Sequence, residues 1–176
     1  YPNSTHTTQL IIGANNETDK EILHRIDKIY KNSKLHSAYY SGFTPVEGTE
    51  FEKKDSCNSQ RVGRLYNADS LLNDYNYKLK ELVFEDDERL SLDIDPKILA
   101  ASNMNIFPVE INSAPFIDLI RVPGIGVKSA KKIISIRKKY KFTKKEELKR
   151  LGIAVNRAEK YIKLDGEYQP SLDIFE

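Results

Sequence analysis

The sequence predicts a mixed fold: an incomplete α/β piece over residues 1–104, then an all-α tail over residues 105–176. Three observations carry this. Residues 7–14 and 37–43 read as strands on either side of an amphipathic helix pattern. The turn Pro123-Gly124-Ile125-Gly126 separates two further helical patterns. Charge is divided along the chain as well. Residues 121–160 hold 14 Lys/Arg against 3 Asp/Glu, a net of +11, whereas residues 1–120 hold 13 against 19, a net of −6.

In chain order, residues 1–8 form a polar, extended lead-in. The apolar run Leu10-Ile11-Ile12 makes the first strand buried, and Gly13 ends it. Thr18 with Glu21 three residues on spells a capping box, and Ile22, Leu23, Ile26, Ile29 and Tyr30 recur at helical spacing behind it. The second strand leaves the sheet at Thr44-Pro45. Strand, helix and strand of these lengths argue for a parallel pair. Two strands are not a whole sheet, so further strands are expected upstream. Residues 47–62 are charged and polar and read as a loop. Residues 61–82 read as one helix, with Leu65, Ala68, Leu71, Leu72, Tyr75 and Leu79 on one face. The acidic run Glu85-Asp86-Asp87-Glu88 reads as a solvated turn. Asp95-Pro96 opens a short helix through Ala101, and residues 102–108 form a link.

In the tail, Asn112 or Ser113 is placed to cap a helix carrying Phe116, Ile117, Leu119 and Ile120. Pro123 ends that helix, because it lacks an N–H and clashes with a preceding carbonyl. Gly124 and Gly126 permit positive φ and put no Cβ in the way. Ala130, Ile133, Ile134 and Ile136 mark the next helix. Thr143 with Glu146 spells another capping box. A shift of 28 residues then lays Pro123-Gly124-Ile125-Gly126 over Leu151-Gly152-Ile153-Ala154, Ala130 over Ala158 and Ile134 over Ile162. This internal repeat predicts a paired hairpin domain over roughly residues 109–165.

Composition narrows the function classes. The 39% hydrophobic content is ordinary for a soluble chain, and no apolar run approaches membrane length. The single cysteine, Cys57, rules out an internal disulfide and points to an intracellular, cytoplasmic setting. His6, His24, His36 and Cys57 show no metal-ligand spacing, and no Ser/His/Asp set, P-loop or zinc pattern is present. The chain opens at Tyr1 rather than Met, consistent with a piece of a longer protein.

Two helices around Pro123-Gly124-Ile125-Gly126 resemble the helix-hairpin-helix motif of nucleic-acid-binding proteins. Bare backbone N–H groups at the start of the second helix, aided by the helix dipole, make an anion site that a phosphate can approach closely. The candidate contacts are Pro123, Gly124, Ile125 and Gly126, with Lys128, Ser129, Lys131 and Lys132 as helpers. In the second copy they are Gly152, Asn156 and Arg157. That copy has Leu151 for Pro and Ala154 for Gly, so it either touches nucleic acid or only packs against the first. Paired hairpins of this kind imply contact with both strands of a DNA duplex. Phosphate contacts position without reading bases, so binding independent of sequence and steeply salt-dependent is expected.

The first part of the chain carries a second resemblance. Residues 7–14, followed by Glu17, Asp19 and Glu21-Ile22-Leu23, look like a late strand and helix of a radical S-adenosylmethionine barrel. Tyr39-Tyr40-Ser41-Gly42-Phe43-Thr44-Pro45-Val46-Glu47-Gly48-Thr49 resembles the next strand. Arg64-Leu65-Tyr66-Asn67-Ala68-Asp69 and Phe107-Pro108-Val109-Glu110-Ile111-Asn112 extend the likeness. Together they resemble the C-terminal part of radical S-adenosylmethionine proteins of DNA modification or repair that end in a helix-hairpin-helix tail. The resemblance implies an incomplete radical SAM-type barrel (1–104) followed by an all-α tandem helix-hairpin-helix domain (105–176). It also implies S-adenosylmethionine and a 4Fe–4S cluster in the parent protein, and an N-terminal barrel half as partner. Only by this resemblance do Gln9 and Gly13 lie near a cofactor; from the residues alone they read as strand packing and a turn. The cluster needs three cysteines in a CxxxCxxC loop, which this chain lacks. The alternatives are a stand-alone, non-catalytic DNA-binding module and a protein-interaction module. A helix-hairpin-helix glycosylase is set aside, because residues 141–150 hold no Asp to serve as its catalytic carboxylate.

Overall fold

The computed structural model describes residues 6–33 and 35–164. Of the polar lead-in expected at residues 1–8, residues 1–5 lie outside the described residues, while His6 to Thr8 already belong to the first strand. The chain divides into two compact units, Tyr1–Ala100 and Ala101–Glu176. Among the described residues no helix is long and apolar enough to cross a membrane.

The first unit opens with β1 (His6–Ile12), α1 (Asp19–Asn32) and β2 (Leu35–Gly42). β1 and β2 pair in parallel, with Gln9 opposite Tyr39 and Ile12 opposite Gly42. The capping box at α1 forms as its spelling predicts: the Glu21 N–H donates to Thr18 Oγ1 at 3.2 Å, and the Thr18 N–H donates to Glu21 Oε2 at 2.9 Å. Ile22, Leu23 and Ile26 of α1 join Ala38 and Tyr40 of β2 in the core. The opposite face of the strand pair leaves Ile11 51% and Tyr39 52% exposed.

α2 (Ser59–Asn73) buries Leu65, Ala68, Leu71 and Leu72 as expected. It stops well short of Leu82. Asp74 is its C-cap, and Asn76 takes φ 54, a left-handed conformation asparagine tolerates better than most residues. The chain then re-enters the core through Tyr77 and Leu82, with a short 3₁₀ turn at Leu79–Glu81 between them.

A buried ion pair pins the acidic run. Arg61 Nε donates to the fully buried Asp19 Oδ1 at 2.7 Å, and the Leu90 N–H donates to Asp19 Oδ2 at 2.9 Å. With both oxygens satisfied, the desolvation cost of the carboxylate is offset. Glu85 to Glu88 themselves form a turn, closed by Glu88 N–H to Glu85 O at 2.9 Å. α3 (Pro96–Ser102) starts where Asp95 Oδ1 accepts from the Lys97 N–H at 2.8 Å.

The second unit contains β3 (Val109–Glu110), α4 (Phe116–Arg121), α5 (Val127–Ile136), α6 (Lys145–Lys149), α7 (Val155–Ala158) and β4 (Ile162–Lys163). Leu119, Ile120, Ile125, Ala130, Ile133, Phe142, Leu148, Ile153, Ala158 and Ile162 form its core. The expectation of an all-α tail is corrected here. β3 and β4 pair in parallel, Val109 opposite Ile162, and the Ile111 N–H donates to Lys163 O at 3.1 Å. The pair brings the two ends of the hairpin repeat together, and backbone groups buried there require partners.

Candidate nucleic-acid interface

The turn between α4 and α5 follows from local sequence. Val122, the C-cap of α4, is extended at φ −63, ψ 123, as a residue before proline must be. Pro123 and Ile125 are buried, so their side chains shape the turn from inside. Gly124 sits at φ +87 and Gly152 at φ +80. The 28-residue repeat is thus a repeat of backbone conformation. Ile120 and Leu148, Ile125 and Ile153, and Ala130 and Ala158 are equivalent buried pairs. The repeat breaks down beyond Ala158, because α7 is one turn long and Ile162 belongs to β4 while Ile134 belongs to α5.

The two glycines of the first turn differ. Gly126 is the N-cap of α5 at φ −90, so the positive φ expected for it is not used. Gly124 needs its missing side chain for packing. A Cβ there would lie 2.5 Å from Ala154 O, and the Ala154 N–H donates to Gly124 O at 3.1 Å. The two hairpin turns are therefore joined backbone to backbone. Gly152 differs again: it is exposed, and a Cβ there would meet nothing within 4 Å.

Donors open to a ligand lie at the start of α5. The first four N–H groups of a helix have no partner within it. Gly126 provides no side-chain cap, and the first bond to its carbonyl comes from the Ala130 N–H at 2.8 Å. The N–H groups of Gly126, Val127, Lys128 and Ser129 bond no other group among the described residues. Lys128, Lys131 and Lys132 are exposed beside them and form no ion pair among the described residues; Ser129 is half-buried. At α7 the N-cap Ala154 is likewise without a side-chain cap, and Asn156 and Arg157 are exposed. The arrangement suits an anion with several oxygens, held by backbone amides and screened by lysines.

Residues that sequence reasoning missed hold this frame. Asn112 does not cap α4, whose N-cap is Pro115. Its side chain instead donates to Phe142 O at 2.9 Å and accepts from the Phe142 N–H at 2.8 Å. Arg137 Nη1 donates to Ile111 O at 2.9 Å and Ala114 O at 2.7 Å. The cap expected from Thr143 and Glu146 falls to Glu147, which accepts from the Thr143 and Lys144 N–H groups at 2.9 and 3.1 Å. The Tyr140 hydroxyl also donates to Glu147. That bond holds the Glu147 carboxyl below the usual carboxylate range and raises the Tyr140 phenol. The Asn112 and Arg137 contacts join separate loops, so no local spacing rule signals them, whereas the Glu147 cap is a local one set a single residue later than the spelling of Thr143 and Glu146 suggests.

In the first unit, Gln9 is exposed and Nε2 donates to Ser41 Oγ at 2.7 Å. Gly13 turns the chain at φ +87, and a Cβ there would lie 3.0 Å from Cys57 Cβ. Gly13 borders an open cavity of about 650 Å³ whose edge includes Lys53, Cys57, Arg61 and Arg89. Gln9 does not line it. Among the described residues no group of three or more His, Cys, Asp or Glu is placed to hold a metal ion.

Residues 104–160 match a family model described as the helix-hairpin-helix motif. The chain matches no curated protein and no solved structure. The motif is a general nucleic-acid-binding motif, so the match supports nucleic-acid binding by the second unit.

Proposed function

We propose that the second unit binds double-stranded DNA through its phosphate backbone, without reading base sequence. The observation that carries this is the uncapped start of α5. Four amide groups without partners among the described residues point away from the helix, in the segment where the chain's positive charge is concentrated. Lys128, Lys131 and Lys132 supply mobile charge beside that fixed site, while Gly152, Asn156 and Arg157 form a weaker second contact. The test is a titration of fluorescent blunt duplex DNA at several salt concentrations. Affinity should fall linearly on a log–log plot, with a slope near −0.9 per phosphate engaged. A Lys128→Glu/Lys131→Glu/Lys132→Glu variant should lose most of that affinity. No binding at low salt would leave a protein partner as the better account.

The larger assembly belongs to the same reading: a cytoplasmic radical S-adenosylmethionine protein of DNA modification or repair, in which residues 1–104 complete a barrel with an N-terminal half. What supports it is the residue resemblance, together with a parallel strand–helix–strand unit that leaves Ile11 and Tyr39 bare on one face. The cluster does not fit this chain. Iron–sulfur clusters are held by several thiolates, and Cys57 is the one cysteine in the sequence. Any cluster must therefore be carried by the other half. The other half belongs to the same protein on this reading, so the coding sequence upstream of Tyr1 is expected to hold a CxxxCxxC loop; a coding sequence without one would refute it.

A further inference from the structure

Tyr140 is 51% exposed, although its neighbour Phe142 is 2% exposed and belongs to the core. The tyrosine ring is not loose. Its hydroxyl donates to Glu147, and its ring meets Phe142 at 6.1 Å and 86°, edge to face. The same Glu147 carboxylate takes the N–H groups of Thr143 and Lys144, so one side chain ties together three points of the connector between the hairpins. An aromatic side chain held this way has already given up rotamer freedom that binding would otherwise cost.

Lys138, Lys139, Lys141 and Lys144, which flank Tyr140 in the sequence, are all exposed. Lys138 and Lys139 follow the C-terminus of α5, where cations complement the helix dipole. That explanation does not reach Lys141 and Lys144, nor an exposed ring set between the two pairs. α5 has ten residues and is about 15 Å long at 1.5 Å per residue. The connector therefore lies a helix length from the amide groups at the start of α5.

We propose that this connector is a second nucleic-acid contact, in which the Tyr140 ring stacks on an unpaired base while the flanking lysines meet the adjacent phosphates. The inference rests on the nucleic-acid reading of the hairpins and specifies their substrate as duplex DNA carrying a single-stranded extension. Every base has a π-face, so stacking is tolerant of sequence. It does need a base free of its stack, which a closed duplex does not offer and a single strand does.

The test uses the full chain, with a blunt duplex and the same duplex bearing a thymidine tail as probes. The wild type should bind the tailed probe on the order of tenfold more tightly, the range expected of one base–aromatic stack. Tyr140→Ala should lose that preference while blunt-duplex affinity and salt slope stay unchanged, which also shows the variant to be folded. Tyr140→Leu keeps an apolar contact on Phe142 but has no π-face, and should lose the preference equally. Tyr140→Phe keeps the ring and should retain it. Equal affinity of the wild type for both probes, or a preference that survives in Tyr140→Ala, overturns the proposal and leaves the hairpin site standing. Failure to bind either probe removes both.

Discussion

Replacing Gly124 by alanine separates packing from conformational freedom, because Gly152 is a built-in control. Both glycines have φ near +80 to +87. A left-handed conformation costs an L-residue about 1–2 kcal/mol, and each variant carries that cost. Only at Gly124 does the new methyl collide, 2.5 Å from Ala154 O, on backbone that cannot swing aside like a flexible side chain. Forcing atoms into a filled site costs about 1–3 kcal/mol, and the Ala154 N–H to Gly124 O bond is put at risk as well. Gly124→Ala should therefore destabilise by about 2–5 kcal/mol and Gly152→Ala by about 1–2 kcal/mol. Urea unfolding followed by circular dichroism measures the difference. Amide exchange at Ala154 gives a local reading, which should speed up in Gly124→Ala and not in Gly152→Ala. Equal destabilisation by the two substitutions, with Ala154 equally protected in both, would refute a joint between the turns.

Two further outcomes follow from named geometry. Gly126 has φ −90, which any residue adopts, so Gly126→Val should carry no left-handed strain and cost about 1 kcal/mol in urea unfolding for a poorer N-cap, while weakening duplex binding by crowding the amide site; normal affinity in a folded variant would remove Gly126 from the interface. Asp69 lies near the Tyr30 and Tyr40 hydroxyls, and burial pushes its carboxyl from 3.8 up to about 6 against the lowering effect of those groups. The folded chain thus holds this proton more tightly than the unfolded chain, and the stabilisation is gained as pH falls from about 6 to about 4 and is absent above it. After discounting for partial exposure the gain is about 1–2 kcal/mol. Asp69→Asn should be more stable than the wild type by that amount at pH 7.5 and equal to it at pH 4, as read by urea unfolding. A difference that does not change with pH would mean the carboxyl titrates normally in the folded chain.

Contacts spelled within a few residues were legible in the sequence. Thr18 and Glu21 close their capping box because both partners belong to one turn of helix. Leu65, Ala68, Leu71 and Leu72 fall on the buried face because helical period alone sets it. Gly124 and Gly152 share a left-handed turn, as a 28-residue repeat implies. Contacts between loops were not legible. Glu147 is the cap rather than Glu146 because the helix opens one residue later than its spelling suggests, with Lys144 as N-cap, and the Tyr140 hydroxyl from the connector bonds the same carboxylate. Asn112 serves Phe142 instead of its own helix. The β3–β4 pair in a tail that reads as helical arises because both ends of the repeat meet and their backbone groups need each other.

The site divides along the same line. A sequence read alone determines that Pro123-Gly124-Ile125-Gly126 turns the chain and opens a basic helix, since proline and glycine act through their own backbone limits. The tertiary structure decided which glycine does what. Gly124 is the packing joint and Gly126 the open cap, because only the folded chain brings the Ala154 carbonyl against one of them and leaves the amides at the start of α5 uncovered.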